Sequence, residues 1–226
     1  MRALIVGANR GIGLGVVKEC LARGWDVVAT VRQPDRAEPL AALRAAPGTK
    51  RVDIRVLDMS DPARIDDFSV GGMLDVVLIN AGVAGPAHRS ASAATASDIG
   101  DLMFVNAIAP IRLARRLIGS IRPNDGVLAF TSSVMGSVAL NPGGHELYRA
   151  SKAALNSMSR GLFGELSGRR LTLLSLHPGW VRTDMGGASA AVGVEDSARG
   201  MVDTIEREKG RRRHAFIDYT GKEIAW

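Results

Sequence analysis

Tyr148 and Lys152 stand four positions apart in the stretch "YRASK", in a chain that has only two tyrosines and five lysines. On a helix that offset puts both side chains on one face, one turn apart, where the ammonium biases the phenol toward phenolate. A phenol poised in this way is a candidate acid-base group. The other tyrosine, Tyr219, has Glu223 at the same offset and so lacks such a partner. Chance alone would place one such pair in roughly 4% of chains of this composition, so the surroundings must decide what it is for.

A second pattern, "GANRGIG" from Gly7 to Gly13, follows the apolar run Ala3 to Val6 and opens a stretch of helical period. Glycines permit a tight turn and close backbone approach, and a helix N-terminus offers N–H groups and a positive dipole end to a pyrophosphate. Gly7, Asn9, Gly11, Ile12 and Gly13 are the candidate dinucleotide contacts, set against the plainer reading of a structural strand-to-helix turn. The tip of the second strand tells the dinucleotides apart, because an acid there grips free ribose hydroxyls whereas an arginine accommodates a 2′-phosphate. That tip reads "ATVRQP": Arg32 stands where the acid would be, and Arg10 adds a second cation inside the turn. Either arginine alone has the reading of an ordinary surface residue; together they favour NADP(H) over NAD(H).

Elements must hold these residues in place. Apolar runs of strand length alternate with longer helical patterns, which predicts repeated βαβ units and a parallel sheet. About seven runs qualify: Ala3 to Val6, Val27 to Val31, Ile54 to Leu57, Leu74 to Ile79, Val127 to Thr131, Leu171 to Leu176 and Ala215 to Ile217. Helices are expected over Ile12 to Arg23, Ser97 to Ile121, Tyr148 to Ser167 and Glu195 to Glu208. Several strands are apolar at almost every position, as required when helices cover both faces, so the expected fold is a doubly wound α/β sheet of Rossmann type. Ala84 to Ala94, Met135 to Gly144 and Met185 to Gly193 are rich in Gly, Ser, Ala or Pro and are expected as loops. The last two follow the fifth and sixth strands, beyond whose carboxyl ends such sheets bind ligands.

Composition narrows the classes. A chain of 226 residues that is 46% apolar suits one domain with a substantial core, and neither an internal repeat nor a domain boundary is visible. The apolar runs are too short to span a membrane and the first residues do not read as a cleavable leader, so a cytoplasmic location is expected. Cys20 is single and reads as a small core residue, and no histidine has metal-ligand spacing. The net charge of +6 is scattered, and the run Arg211 to Arg213 has no interleaved aromatics to stack bases, which argues against nucleic acid.

Taken as an ordered set, "GANRGIG", "NAG" at 80–82, Asn106 in "FVN", "TSS" at 131–133, "YRASK" and "HPGWVRTDMGG" from His177 resemble the single-domain short-chain dehydrogenase/reductases along essentially the whole chain. "TSSVMGS", "YRASKAALN" and the ending "GKEIAW" are similar to the small carbonyl reductases of the sniffer and C-factor group. The resemblance implies that Tyr148 is the general acid in carbonyl reduction, with Lys152 lowering its pKa from the ordinary ~10 and holding the nicotinamide ribose. It also implies that Ser133 binds the substrate oxygen and Asn106 anchors a water that resupplies the proton. Asn106 alone also reads as a buried amide in a distorted helix, and Ser132 and Ser133 as strand-end residues. For the cofactor it implies Asp58 at the adenine amine, Asn80, Ala81 and Gly82 at the adenine ribose, Val181 and Thr183 at the carboxamide, and Pro178 and Gly179 in the turn beneath the ring. Asp58 has the alternative reading of a loop cap.

Two departures from the family pattern stand out. Val6 occupies a position where the family usually has a threonine that braces the turn, which predicts weaker cofactor binding. Ser133 lies 15 residues before Tyr148 where about 13 is commoner, and "NPGGHE", residues 141–146, is expected to hold the surplus. Val134, Met135, Leu140, His145 and Trp180 are the expected pocket lining, Met185 to Gly193 a mobile flap, and His177 a structural residue. The resemblance further implies a homodimer or homotetramer built on the helices over Ser97 to Ile121 and Tyr148 to Ser167. A binding or signalling protein on the same fold is the competing class, and an epimerase or dehydratase is disfavoured for want of a larger C-terminal region.

Overall fold

The computed structural model describes residues 1–45, 52–166 and 168–226. Its strands are β1 (Arg2–Val6), β2 (Asp26–Val31), β3 (Val52–Val56), β4 (Val76–Ile79), β5 (Val127–Thr131), β6 (Thr172–His177) and β7 (His214–Asp218). They form one sheet in the order β3-β2-β1-β4-β5-β6-β7, parallel throughout. The order reverses between β1 and β4, so the crevice beyond their carboxyl ends is where a sheet of this kind receives a ligand.

Both sheet faces are buried, and the alternation of side chains along each strand explains why the runs are apolar throughout. Ala3 and Ile5 enter one core with Val76 and Leu78; Leu4 and Val6 enter the other with Val77 and Ile79. The first core is closed by α1 (Gly11–Ala22), α2 (Glu38–Ala45) and α7 (Val194–Glu208) through Val16, Val17, Leu40, Met201 and Ile205. The second is closed by α3 (Pro62–Asp67), α5 (Ala109–Leu117) and α6 (Glu146–Glu165) through Ile65, Leu113, Leu117, Leu155 and Leu162. Cys20 sits in the first core, where burial pushes its thiol up to about 12.

The helix expected over Ser97 to Ile121 is divided. It comprises α4 (Ala96–Met103), a π turn at Phe104–Ile108, α5, and a 3-10 turn at Ile118–Ser120. Pro110 supplies a reason: it has no N–H for the carbonyl of Asn106 and its ring crowds that carbonyl. The ladder slips by one, and Ala109 N–H bonds to the carbonyl of Phe104. Thr95 and Asp98 start α4 with a reciprocal capping box. Of the helix expected over Tyr148 to Ser167, α6 covers Glu146–Glu165, and Ser167 lies outside the described residues. The short helices α2 and α3 have too few turns to show a period, although Asp61 caps α3 from two backbone amides just ahead of Pro62. Among the described residues no helix is long and apolar enough to cross a membrane.

Candidate active site

The glycine turn is held from three sides. Gly7 has φ +80°, and a Cβ there would lie 3.0 Å from Ala81. A Cβ at Gly13 would lie 2.1 Å from the carbonyl oxygen of Gly7, so the turn closes only with glycine at that position. Gly7 N–H donates to Thr30 Oγ1 at 3.1 Å and its carbonyl accepts from Asn80 Nδ2 at 3.1 Å. Thr131 Oγ1 in turn donates to Asn80 Oδ1 at 3.1 Å, so the ends of β1, β2, β4 and β5 are tied into one unit. Asn9 and Ile12 are half-buried beside this turn. The N-terminus of α1 has no side-chain cap and no acid in its own first turn, which leaves the positive end of its dipole uncompensated from within the helix.

The two cations stand on the surface, each near a carboxylate. Arg32 is exposed, and its charge acts on Asp58. Burial pushes the Asp58 carboxyl up, but the Ser60 hydroxyl and amide reverse this, with Arg32 and Arg64 assisting, so it ends below its ordinary value. Asp58 Oδ1 accepts from Ser60 N–H at 2.9 Å and from its hydroxyl at 2.7 Å. Half of the carboxylate therefore caps the loop, and Oδ2 makes no hydrogen bond among the described residues. Arg10 is paired with Asp184.

At the centre, Lys152 is 4% exposed, its Nζ donates to the carbonyl of Thr131 at 2.9 Å, and it lies 5.8 Å from the centroid of the Tyr148 ring. The helical offset brings the pair together as expected, but not the expected electrostatics. Burial pushes the phenol up to about 12 and the ammonium down to about 8. Desolvation of both groups outweighs their mutual influence, because each charged form has lost water and the ammonium points to a backbone carbonyl. Asn106, fully buried in the π turn, accepts from Val83 N–H at 2.8 Å and donates to Val83 O at 2.9 Å and to Ser151 Oγ at 3.0 Å. A Cβ on Gly82 would lie 3.2 Å from Asn106 Oδ1 and 3.6 Å from Lys152 Nζ, so Gly82 lets these two groups converge.

The two serines after β5 have separate surroundings. Ser132 donates to Asn156 Oδ1 at 2.7 Å inside the core, whereas the Ser133 hydroxyl accepts from Met135 N–H at 3.1 Å and donates to no partner among the described residues. Ser133 keeps its proton for another acceptor. After β6, Pro178 O accepts from Ser197 Oγ at 2.6 Å, and Gly179 turns the chain with φ +85°. Val181 is buried and bridges to Val192, while Thr183 Oγ1 accepts from Gly186 N–H at 3.1 Å. Thr183 reaches the glycine turn: a Cβ on Gly11 would lie 3.3 Å from its methyl. The segment expected as a mobile flap is braced, with Trp180 Nε1 donating to Gly186 O at 2.8 Å and Arg182 Nη1 to Ala190 O at 2.9 Å. Leu140 and Trp180 are more than half exposed, Val134 and Met135 half-buried, and His145 lies on the surface ahead of α6. His177, at the end of β6, has a buried Nδ1 with no hydrogen-bond partner among the described residues.

Residues 1–191 match the family model described as short chain dehydrogenase. The chain belongs to that family. Among solved short-chain dehydrogenase relatives, a carbonyl reductase from Pseudomonas aeruginosa PAO1 in complex with NADP is 41% identical, with a TM-score of 0.90 over 100% of this chain and 99% of that one. Carbonyl reductase Sniffer of D. melanogaster is 30% identical, with a TM-score of 0.88 over 100% of this chain and 99% of that one. The C-signal protein of Myxococcus xanthus is 37% identical over 159 residues, which are 69% of this chain and 94% of the relative.

Both departures from the short-chain dehydrogenase pattern have local compensation. Val6 is fully buried and has no hydroxyl, but Thr30 reaches across from β2 to brace Gly7, so the turn is not left unsupported. The surplus before Tyr148 is coiled by Gly143, Gly144 and His145, at φ +93°, +70° and +52°, with Gly143 N–H held by Asn141 Oδ1 at 2.9 Å. Four supporting residues go unread from sequence: Thr30, Ser151, Asn156 and Asp184. A polar residue inside an apolar strand marks Thr30, and Ser151 lies within "YRASK" itself; Asn156 and Asp184 carry no local signal.

Proposed function

We propose that this short-chain dehydrogenase is an NADPH-dependent carbonyl reductase, running in reverse as an alcohol dehydrogenase, with Tyr148, Lys152, Ser133 and Asn106 as its catalytic set. The observation that carries the reading is that Lys152 lies beside the Tyr148 ring and, across Gly82, close to Asn106, with Ser133 on the turn after β5 and a glycine turn flanked by two arginines at the end of β1. The turn fits a dinucleotide, since its glycines close it without side chains and α1 presents an uncapped, acid-free N-terminus. Gly7, Asn9, Gly11, Ile12 and Gly13 would take the pyrophosphate side, Arg10 and Arg32 the 2′-phosphate, Asp58 with Asn80 to Gly82 the adenosine, and Pro178, Gly179, Val181 and Thr183 the nicotinamide side. When bound, NADPH supplies the hydride. The NADP held by the 41% identical carbonyl reductase supports that choice of nucleotide.

The residues divide the remaining work. Tyr148, its phenol pushed up to about 12, stays protonated at neutral pH and serves as the acid that protonates the carbonyl oxygen. Lys152, brought down to about 8, is still charged at pH 7 yet releases a proton more readily than an ordinary lysine, which suits it to restoring the phenol. Ser133 offers its uncommitted hydroxyl proton to the same oxygen as negative charge develops. Asn106 fixes the chain at Val83 and thereby the wall facing Lys152.

Exposed Ile99 and Ile108 on α4 and the π turn support pairing of chains as a homodimer or homotetramer, and a cytoplasmic setting agrees with the reading. The test is NADPH oxidation, followed at 340 nm, across a panel of aldehydes, ketones, quinones and ketoesters. Turnover with at least one class is expected. Tight NADPH binding with no turnover on any of them would instead favour a binding or signalling role, in line with the C-signal likeness.

A further inference from the structure

The two arginines proposed for the 2′-phosphate do not stand alone. Arg32 acts on Asp58 across the second and third strand ends, and Arg10 makes a direct ion pair with Asp184, with side chains 69% and 79% exposed. Asp184 opens the braced segment after β6 and follows Thr183, whose methyl already lies against Gly11. α1 has no acid in its first turn, and Asp184 is the carboxylate ion-paired with Arg10 among the described residues. Its partner lies 174 positions away in sequence, so the contact joins the first β-α unit to the last substrate-side loop.

We propose that Asp184 moderates the preference for NADPH by competing with the 2′-phosphate for Arg10. The proposal rests on the assignment of Arg10 to that phosphate. NADPH brings a phosphate of charge near ~−2, which outbids a single carboxylate for an exposed guanidinium. NADH lacks it and leaves the Arg10–Asp184 pair intact. Occupancy by NADPH therefore releases Asp184, and the start of the 184–193 segment with it, whereas occupancy by NADH does not. An exposed pair of this kind contributes little, so the competition is worth about two- to fivefold in affinity.

The test is titration of NADPH and NADH by nicotinamide fluorescence at low ionic strength, using wild type, Asp184→Asn, Asp184→Glu, Arg10→Ala and the Arg10→Ala/Asp184→Asn double variant. Asp184→Asn is expected to raise the NADPH-to-NADH affinity ratio about two- to fivefold, Asp184→Glu to retain the wild-type ratio, and Asp184→Asn to do nothing to the ratio once Arg10 is alanine. An unchanged ratio in Asp184→Asn alongside a lowered ratio in Arg10→Ala would overturn the competition while leaving the Arg10 assignment standing. The same gain in the Arg10→Ala background would reduce the effect to general charge and also overturn it. A ratio untouched by Arg10→Ala would remove the assignment and the proposal together.

Discussion

Burial drives the two ends of the Tyr148–Lys152 pair in opposite directions, the phenol up to about 12 and the ammonium down to about 8. The chemistry of this site is thus as much a matter of lost water as of a cation beside a phenol. The pair is legible in sequence because identity and a four-residue offset suffice to place both side chains on one helical face. Thr30 and Asp184 are not, since each reaches its partner only after β2 has been laid beside β1 or the chain has crossed the whole sheet. The serines give a prediction at this scale. Ser133→Ala is expected to lower kcat about 10²-fold or more with little change in stability. Ser132→Ala should instead cost about 1–3 kcal/mol of stability by leaving Asn156 Oδ1 buried without its donor, and retain most of the activity. Steady-state kinetics and urea melts on both variants distinguish them; equal losses of kcat would merge the two roles.

Among the elements, the strands are read from sequence to within about two residues because both sheet faces are buried and apolar runs mark them. The π turn is not read: the apolar period runs through Pro110 unbroken, and only the missing N–H of that proline hints at a slip in the ladder. The slip places Asn106 where its amide holds both backbone groups of Val83 and the Ser151 hydroxyl. Asn106→Ala strands those groups in the interior. A loss on the order of 2–4 kcal/mol is expected, with kcat falling at the same time. Full stability in thermal melts would mean that the loop after β4 is held by something else.

At the scale of the whole molecule, the doubly wound sheet follows from alternating β and α patterns, and its order sets the ends of β1, β4 and β5 side by side, with Ala81 against Gly7 and Thr183 against Gly11. Two half-buried histidines, each with a buried Nδ1, add a pH dependence to this body. Burial pushes His177 down to about 4 against a partial pull from Asp218, and pushes His214 down to about 4 with Arg160 adding to it. Both are neutral when folded and take up protons when unfolded between about pH 6.5 and 4, so stability present above pH 6.5 is lost as pH falls through that window. His177→Gln and His214→Gln should each flatten the fall of unfolding free energy with pH there; slopes equal to wild type would assign acid lability to other groups. The central claim is that this fold transfers a hydride and that Tyr148 delivers the accompanying proton. Its most direct measurement is NADPH-linked carbonyl reduction by Tyr148→Phe, paired with NADPH titration of the same protein. Turnover is expected to fall at least 10³-fold while NADPH binding stays within about twofold of wild type, and wild-type turnover in that variant would contradict the account.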